Sequence, residues 1–377
     1  MKIAIIHYWF ITRRGGEKVI ESLLKIYPKA DVYTLFYNKK EYGNYLENQN
    51  VYSSILNTSF LRKHYQKIFP LYPLGVRSLK LKDEYDLIIS SESGPVKGIK
   101  ITNNAPHVCY VHSPMRYCWS HKEMYVRAVN PILRPAMRFF LNRLRLYDKS
   151  TINNVDLYIA NSKNVMERVA NFYGKRAEVV YPPIADALFQ KKINLKENSD
   201  FYLSFGAITP YKKIDLLVDT FNKNGRKLII VGSGSEKKKL TRIANKNIVF
   251  KGNLDWEEIE ELIYQSKALL FPGEEDFGMI PLELMAYGLP VIAFKKGGVL
   301  ETVIENKEDI EKSSGVFFEE QTIQSLQDAI DYFENIENQL NPEWIKHQAQ
   351  KFSESQFLKN FNKKIERFLK ENSSFEN

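Results

Sequence analysis

The chain has 377 residues, 44% hydrophobic and 26% charged, which suits two globular domains with a core each and excludes a disordered chain. Its 18 Gly and 15 Pro are scattered, excluding collagen-like repeats, and its two cysteines, Cys109 and Cys118, exclude a disulfide scaffold and are expected as reduced thiols. Of the net charge of +9, residues 1–183 hold 28 Lys and Arg against 14 Asp and Glu, a local +14, while the remainder carries 26 against 31, a local −5.

The apolar run 2–7 is expected as a buried parallel strand. A signal peptide is not expected there, because His7 interrupts the run and Arg13-Arg14-Gly15-Gly16 stands where a cleavage site would be. After Gly15-Gly16, Val19, Ile20, Leu23 and Leu24 recur at helical spacing over 17–26. Further strands are expected at 31–36, 85–90, 107–112 and 156–161, with Ser162 capping a helix over 163–173 and Pro182-Pro183 forming a rigid break. The alternation then restarts. Strands are expected at 201–205, 227–231, 248–251, 268–271 and 290–293. Helices are expected at 214–222, 236–245, 256–265 and 280–287, and at 300–304, opened by Gly297-Gly298. An amphipathic helix over 355–370 ends the pattern, with 371–377 frayed. Strand–helix alternation of this kind implies an α/β class with two open parallel sheets. The expected division is 1–183, 184–354 and a terminal helix in 355–377 that packs back on the first domain. Two such domains facing each other form a cleft lined by the carboxyl ends of their strands.

No apolar run is long enough for a transmembrane helix. The basic first half suits a polyanion, and two stretches concentrate it: 62–82, with Arg62, Lys63, Lys67 and Arg77 among Phe60, Tyr65 and Phe69, and 116–149, with Arg134, Arg138, Arg143, Arg145 and Lys149 among Trp119, Phe139 and Phe140. Basic residues beside aromatics fit an anionic membrane surface better than nucleic acid, for which no motif is present. A solvated helix with its aromatics turned inward is the plainer alternative.

The chemistry-bearing residues stand just after strands. Glu275-Asp276-Phe277-Gly278-Met279-Ile280-Pro281-Leu282-Glu283 runs from a strand end into a helix. The helix start near Gly278, Met279 and Ile280 leaves backbone N–H groups free for an anion, with Glu275 in the loop and Glu283 about two turns into the helix. A diphosphate there would leave both carboxylates to accept hydrogen bonds from sugar hydroxyls. Gly232-Ser233-Gly234 lacks the third glycine of a dinucleotide fingerprint and is expected to shape the cleft floor. Taken singly, His112 is a strand-end histidine, Lys212 a surface lysine and Gly15-Gly16 a turn.

Taken together, these segments resemble retaining glycosyltransferases of the GT-B fold, classification family 4. The resemblance rests on Glu275 to Glu283 with Met285-Ala286-Tyr287-Gly288-Leu289-Pro290, and on Gly15-Gly16-Glu17, Ala160-Asn161-Ser162, Val180-Tyr181-Pro182-Pro183 and Gly297-Gly298-Val299-Leu300-Glu301. Val111-His112-Ser113-Pro114-Met115-Arg116-Tyr117 and Tyr211-Lys212-Lys213-Ile214-Asp215 are similar to the mannosyltransferases of bacterial O-antigen and related polysaccharides. The resemblance spans about residues 1–335. It implies two Rossmann-like domains. It assigns the nucleotide ribose to Glu283 and the donor sugar to Glu275. Lys212 is assigned to the diphosphate, beside Gly206, Gly278, Met279 and Ile280, and His112 to the transferred sugar. Gly15 and Gly16 would approach the phosphates, and Asn253 and Leu254 the base.

One position departs from the family. Gly206-Ala207-Ile208 stands where Gly-Arg-Leu is usual, so an arginine for the diphosphate is absent, and Lys213, Arg13 or Arg14 would have to replace it. The resemblance implies no cofactor and no catalytic metal: the nucleotide sugar, GDP-mannose by preference, is a substrate. The expected reaction is front-face transfer of a hexose, with retention, to a lipid-linked saccharide at the inner face of the cell membrane, in cell-surface polysaccharide synthesis. A UDP- or dTDP-sugar donor, an epimerase or phosphorylase of the same fold, and an inactive sugar-nucleotide or membrane-binding module are the alternatives.

Overall fold

The computed structural model describes residues 1–196 and 199–373. The chain divides into two compact units, one of Met1–Pro183 with Phe357–Asn377, the other of Ile184–Gln356. Among the described residues the first holds seven strands: β1 (Ile3–Phe10), β2 (Asp31–Tyr37), β3 (Val51–Ser53), β4 (Leu87–Glu92), β5 (His107–Val111), β6 (Leu157–Ala160) and β7 (Ala177–Val179). They lie in the order β3-β2-β1-β4-β5-β6-β7, every pair parallel. The second holds β8 (Phe201–Phe205), β9 (Lys227–Val231), β10 (Ile248–Gly252), β11 (Ser266–Phe271), β12 (Val291–Phe294) and β13 (Gly315–Phe318). Their order is β10-β9-β8-β11-β12-β13, again all parallel. In each unit the order reverses beside the first strand, β1 or β8, where an open sheet offers its ligand crevice.

Strands with long apolar runs are buried on both faces, as parallel sheets covered by helices require: Ile3, Ile5, Leu87, Ile89 and Val108 enter one core and Leu228, Ile230, Leu270 and Ile292 another. The helix Glu354–Ser373 places Phe357, Phe361, Ile365 and Phe368, three or four residues apart, in the core of the first unit with Ile5 and Val19. Of the expected fray over 371–377, residues 371–373 are helical and 374–377 lie outside the described residues.

Several elements differ from the sequence expectation. Strands β3, β7 and β13 and the helices Ile323–Ile336 and Pro342–Gln350 were not anticipated. Two of these are too short to stand out: β3 and β7 have three residues each with none buried. The helix expected over 300–304 is only a 3-10 turn, Gly298–Glu301. Gly297 and Gly298 are pressed against the backbone of Glu275, Asp276 and Phe277, where a Cβ would come within 2.3 Å.

Candidate active site

In the first unit, β1, β4 and β5 are neighbours, and their register sets His7 beside Ser91. His112 is the first residue beyond β5, with its N–H donated to the carbonyl of Glu92 at 2.9 Å. Three adjacent strand ends thus bring together side chains from positions 7, 91 and 112. Ser91 Oγ lies 2.7 Å from His112 Nε2 and 3.1 Å from His7 Nδ1. Burial, with His7 nearby, lowers the pKa of His112 to about 3, so its ring is neutral at physiological pH.

The helix expected over 17–26 starts two residues earlier, so that Gly15 and Gly16 are its first two residues rather than a turn before it. Glu17 closes the first turn of that helix by accepting the Arg14 N–H at 3.0 Å. The glycine pair therefore presents helix-start N–H groups, which suit an anion. Space also demands glycine: a Cβ on Gly16 would lie 2.6 Å from the Tyr8 hydroxyl and 3.6 Å from His112 Nε2. Of the groups expected to replace the missing arginine, Arg13 is held bidentately by Glu21 at 2.7–3.0 Å. Arg14 is exposed, and no ion pair involves it among the described residues.

In the second unit, glycines let strand-end loops converge. Gly232 and Gly234 seat the loop after β9 against Gly206 and Ile208, where a Cβ would fall within about 2 Å of their carbonyl oxygens. Gly206 in turn faces Ile280, and Gly273 faces the backbone of Tyr211 and Lys212. The loop of Glu275 is fixed by a parallel bridge to Gly297 and by the Gly298 N–H, which donates to the Glu275 carbonyl at 2.9 Å. The Lys212 ammonium is ion-paired with Glu275 Oε1. Its neighbour Lys213, the one non-glycine residue with positive φ among the described residues, turns the chain into the helix Ile214–Asn224, and its ammonium lies 3.5 Å from Asp215.

Gly278, with φ of 88°, precedes the helix Met279–Met285. That helix starts one residue before the expected 280, and Glu283, its fifth residue, lies about one turn in rather than the expected two and is buried. Pro281 has no N–H, which leaves the first-turn donors to Met279 and Ile280. Asn253, exposed, and Leu254, half-buried, follow β10 and precede Asp255, the cap of the helix Trp256–Gln265. Lys212, Glu275, Gly206, Gly278 and Ile280 are thus brought into one group of loops. Among the described residues no group of three or more His, Cys, Asp or Glu side chains is arranged to hold a metal ion.

Sequence reasoning missed a buried charge cluster in the first unit. Lys97 is ion-paired with Glu92 at 2.7 Å and with Asp148, and Asp148 also accepts the Trp119 indole N–H at 2.8 Å. All three charged groups are essentially unexposed. Burial pushes the Glu92 carboxyl up, Lys97 opposes that, and Asp148 adds to it. No sequence spacing links positions 92, 97 and 148.

Two family models match adjacent segments: Glycosyltransferase Family 4 over residues 13–188 and Glycosyl transferases group 1 over residues 186–352. Among curated proteins, the alpha-1,3/1,6-mannosyltransferase ALG2 of Saccharomyces cerevisiae is 24% identical over 67% of this chain and 60% of its own length. Its Kluyveromyces lactis counterpart is 28% identical over 43% of each. The uncharacterized glycosyltransferase MJ1178 of Methanocaldococcus jannaschii is 30% identical over 43% of this chain and 46% of its own. The chain therefore spans less than two thirds of each of these relatives. Among solved structures, Anabaena HepE in complex with UDP superposes with a TM-score of 0.71 at 18% identity, covering 97% of this chain and 100% of that one. The lipopolysaccharide outer core galactosyltransferase WaaB gives 0.66 at 18%, covering 97% and 99%.

Proposed function

We propose that this chain, which matches Glycosyltransferase Family 4 over residues 13–188 and Glycosyl transferases group 1 over residues 186–352, is a GT-B-fold glycosyltransferase that transfers a hexose from a nucleotide sugar to a lipid-linked saccharide with retention at the anomeric carbon. The observation that carries the reading is the convergence of Lys212 and Glu275 with the start of the helix Met279–Met285. A cation and free N–H groups suit a leaving diphosphate, and a carboxylate suits sugar hydroxyls. In the proposed step, the diphosphate accepts the acceptor's proton as the glycosidic bond breaks, while Lys212 and the N–H groups of Met279 and Ile280 offset its charge. Glu283 takes the ribose and Glu275 the hexose. The family resemblance assigns His112 to the transferred sugar, Gly15 and Gly16 to the phosphates, and Asn253 and Leu254 to the base. Neither a cofactor nor a metal enters the scheme.

Mannose from GDP-mannose is the preferred donor, a choice supported by the two mannosyltransferase relatives and by the His-Ser-Pro-Met-Arg-Tyr segment from His112 to Tyr117. An anionic membrane surface is the proposed place of action, in cell-surface polysaccharide synthesis. No helix among the described residues is long and apolar enough to cross a membrane. The helix Arg134–Ser150 instead buries Leu141, Leu144 and Asp148 and exposes a second apolar stripe. Phe139 and Leu146, two turns apart, are 59% and 60% exposed beside Arg143 and Lys149, and Ile132 just before the helix is 85% exposed. Apolar side chains among cations suit an anionic bilayer interface.

Ala207 favours a second reading, a sugar-nucleotide binding module without turnover. Arg13 and Lys213 are both engaged by acidic neighbours, which leaves Arg14 as the candidate replacement for the absent arginine. Calorimetric titration with GDP, UDP and dTDP, with Glu283→Ala as control, tests the proposal. Binding of GDP alone, lost in the variant, supports a GDP-sugar donor. Preference for UDP or dTDP keeps the transferase and changes the donor. Nucleotide binding without turnover of any nucleotide sugar puts the inactive module first, and binding of none of them discards the donor site and leaves only a membrane-binding module.

A further inference from the structure

The proposed transfer uses His112 but not the three side chains lined up behind it. Glu17, His7 and Ser91 are all fully buried. Their atoms form one file: Glu17 Oε1 lies 3.9 Å from His7 Nε2, His7 Nδ1 lies 3.1 Å from Ser91 Oγ, and Ser91 Oγ lies 2.7 Å from His112 Nε2. His7 Nε2 and Glu17 Oε1 have no hydrogen-bond partner of their own, and at 3.9 Å they act on each other through charge rather than through a hydrogen bond. The second oxygen of Glu17 is held by the Arg14 N–H.

Proton counting gives this file a direction. A neutral imidazole has one N–H and one bare nitrogen, and a hydroxyl has one proton to donate. In a file of imidazole, hydroxyl and imidazole, the arrangement that uses the serine's one proton within the file has all donors pointing the same way. A carboxylate only accepts, so Glu17 decides which way. His7 carries its proton on Nε2, toward Glu17, and leaves Nδ1 bare. Ser91 donates to that nitrogen, and its oxygen accepts from His112. His112 then carries its proton on Nε2, and its Nδ1, which no protein group engages among the described residues, is a bare acceptor.

We infer that Glu17, acting through His7 and Ser91, fixes His112 as its Nε2–H tautomer and so makes Nδ1 an acceptor for a ligand hydroxyl. That the hydroxyl belongs to a sugar rests on the proposed transfer; the tautomer does not. The low pKa of His112 supports the inference, since only a neutral ring has a bare nitrogen. Glu17, His7 and Ser91 are positioning residues in this scheme, and they give the Glu of Gly15-Gly16-Glu17 a second task besides closing its helix turn.

The test is a two-bond proton–nitrogen NMR correlation on the full chain labelled with nitrogen-15 histidine. It is run at pH 8, above the ordinary imidazole range, and without any nucleotide. Six histidines are present, and His112→Ala and His7→Ala assign the two that matter. The expected result is Nε2–H on both His7 and His112. Glu17→Gln, whose amide can donate as well as accept, is expected to shift His112 toward Nδ1–H, and Glu17→Asp to restore the original tautomer. Should Glu17→Gln not fold, Ser91→Ala carries the test and is expected to leave His112 as a mixture of tautomers. An Nδ1–H or doubly protonated His112 in the unaltered chain overturns the inference. So does a His112 tautomer unmoved by either Glu17→Gln or Ser91→Ala in a folded protein. Failure of the transferase reading shows elsewhere, as absent nucleotide binding with the tautomer intact.

Discussion

The ammonium of Lys212 and the carboxylate of Glu275 are ion-paired across the loops that follow β8 and β11, each with less than a fifth of its side chain exposed. The two groups assigned to opposite ends of a sugar diphosphate therefore neutralise each other before any donor arrives. A bound donor would replace that contact on both sides, with phosphate taking the lysine and sugar hydroxyls taking the carboxylate. Lys212→Ala is expected to lower kcat by about 10²–10³-fold, the usual loss for one group that stabilises developing negative charge. Glu275→Ala is expected to abolish transfer while the circular dichroism spectrum stays that of the unaltered protein. Retained transfer by the Glu275 variant would show that the sugar carboxylate is another residue.

Glu283 is expected to act on binding rather than on the chemical step. It is buried about one turn into its helix, where a carboxylate can accept a pair of ribose hydroxyls. A charged hydrogen bond contributes about 1.5–3 kcal/mol, so Glu283→Ala is expected to weaken nucleotide affinity by roughly 10–100-fold. Isothermal titration with the preferred nucleotide measures it, and an unchanged dissociation constant removes Glu283 from the ribose.

The membrane proposal turns on which side chains of the helix Arg134–Ser150 are free to leave the protein. Arg138 is paired with Glu123 at 2.9 Å, and the Arg145 guanidinium stacks 4.2 Å over Trp119. Arg143, Phe139 and Leu146 are therefore cleaner probes than a wholesale charge reversal over 134–145. Near an anionic surface each cation contributes about 1 kcal/mol, and a buried Phe or Leu about 1.5–3 kcal/mol. Arg143→Glu is expected to weaken vesicle binding by at least about fivefold. Phe139→Ser with Leu146→Ser is expected to weaken it by more than 100-fold. Co-sedimentation with phosphatidylglycerol vesicles reads both, and unchanged binding by the double variant sinks the idea.

How legible the molecule was depends on whether a feature is local. β1, β4, β5, β9 and β11 stand out as apolar runs because each is buried on both faces. Glu275 and Glu283 stood out because a strand end and a helix start lie within one short segment. His112 stood out only through the family resemblance, and its meeting with His7 and Ser91 did not, since it depends on the order β1-β4-β5, which no spacing encodes. Lys97 was equally silent, being one lysine among many until burial distinguished it. The helix expected over 300–304 failed for a tertiary reason, because Gly297 and Gly298 serve the Glu275 loop rather than a helix.

Acid is expected to weaken the first unit through His107. Its ring is buried between the Asn154 carbonyl and the Ser90 hydroxyl, at 2.7 and 2.8 Å, and burial lowers its pKa to about 4. The unfolded chain binds that proton near pH 6.5, so the unfolded state gains protons first as pH falls. Stability is complete above the unfolded value and is lost progressively as pH falls toward the folded one, by up to about 3 kcal/mol. Urea midpoints at pH 7.5, 6 and 4.5 should fall in that order, and His107→Gln should make the fall shallower. An equal slope in the variant assigns the acid sensitivity to other groups.

The Lys97 cluster is expected to hold the helix Arg134–Ser150 in place. Asp148 is the charged residue on the buried side of that helix, and its partners lie elsewhere: Lys97 follows β4, and Trp119 follows β5. Removing one member leaves a buried charge without its partner, which costs about 3–5 kcal/mol, whereas removing all the charges together can be neutral. Lys97→Met is therefore expected to lower stability by about that amount, and Lys97→Met with Glu92→Gln and Asp148→Asn to recover part of it. If the cluster anchors the helix, hydrogen exchange in Lys97→Met should quicken over 134–150 more than over β8–β13. Quickening spread evenly over both units would mean that the cluster supports overall stability and does not anchor this helix.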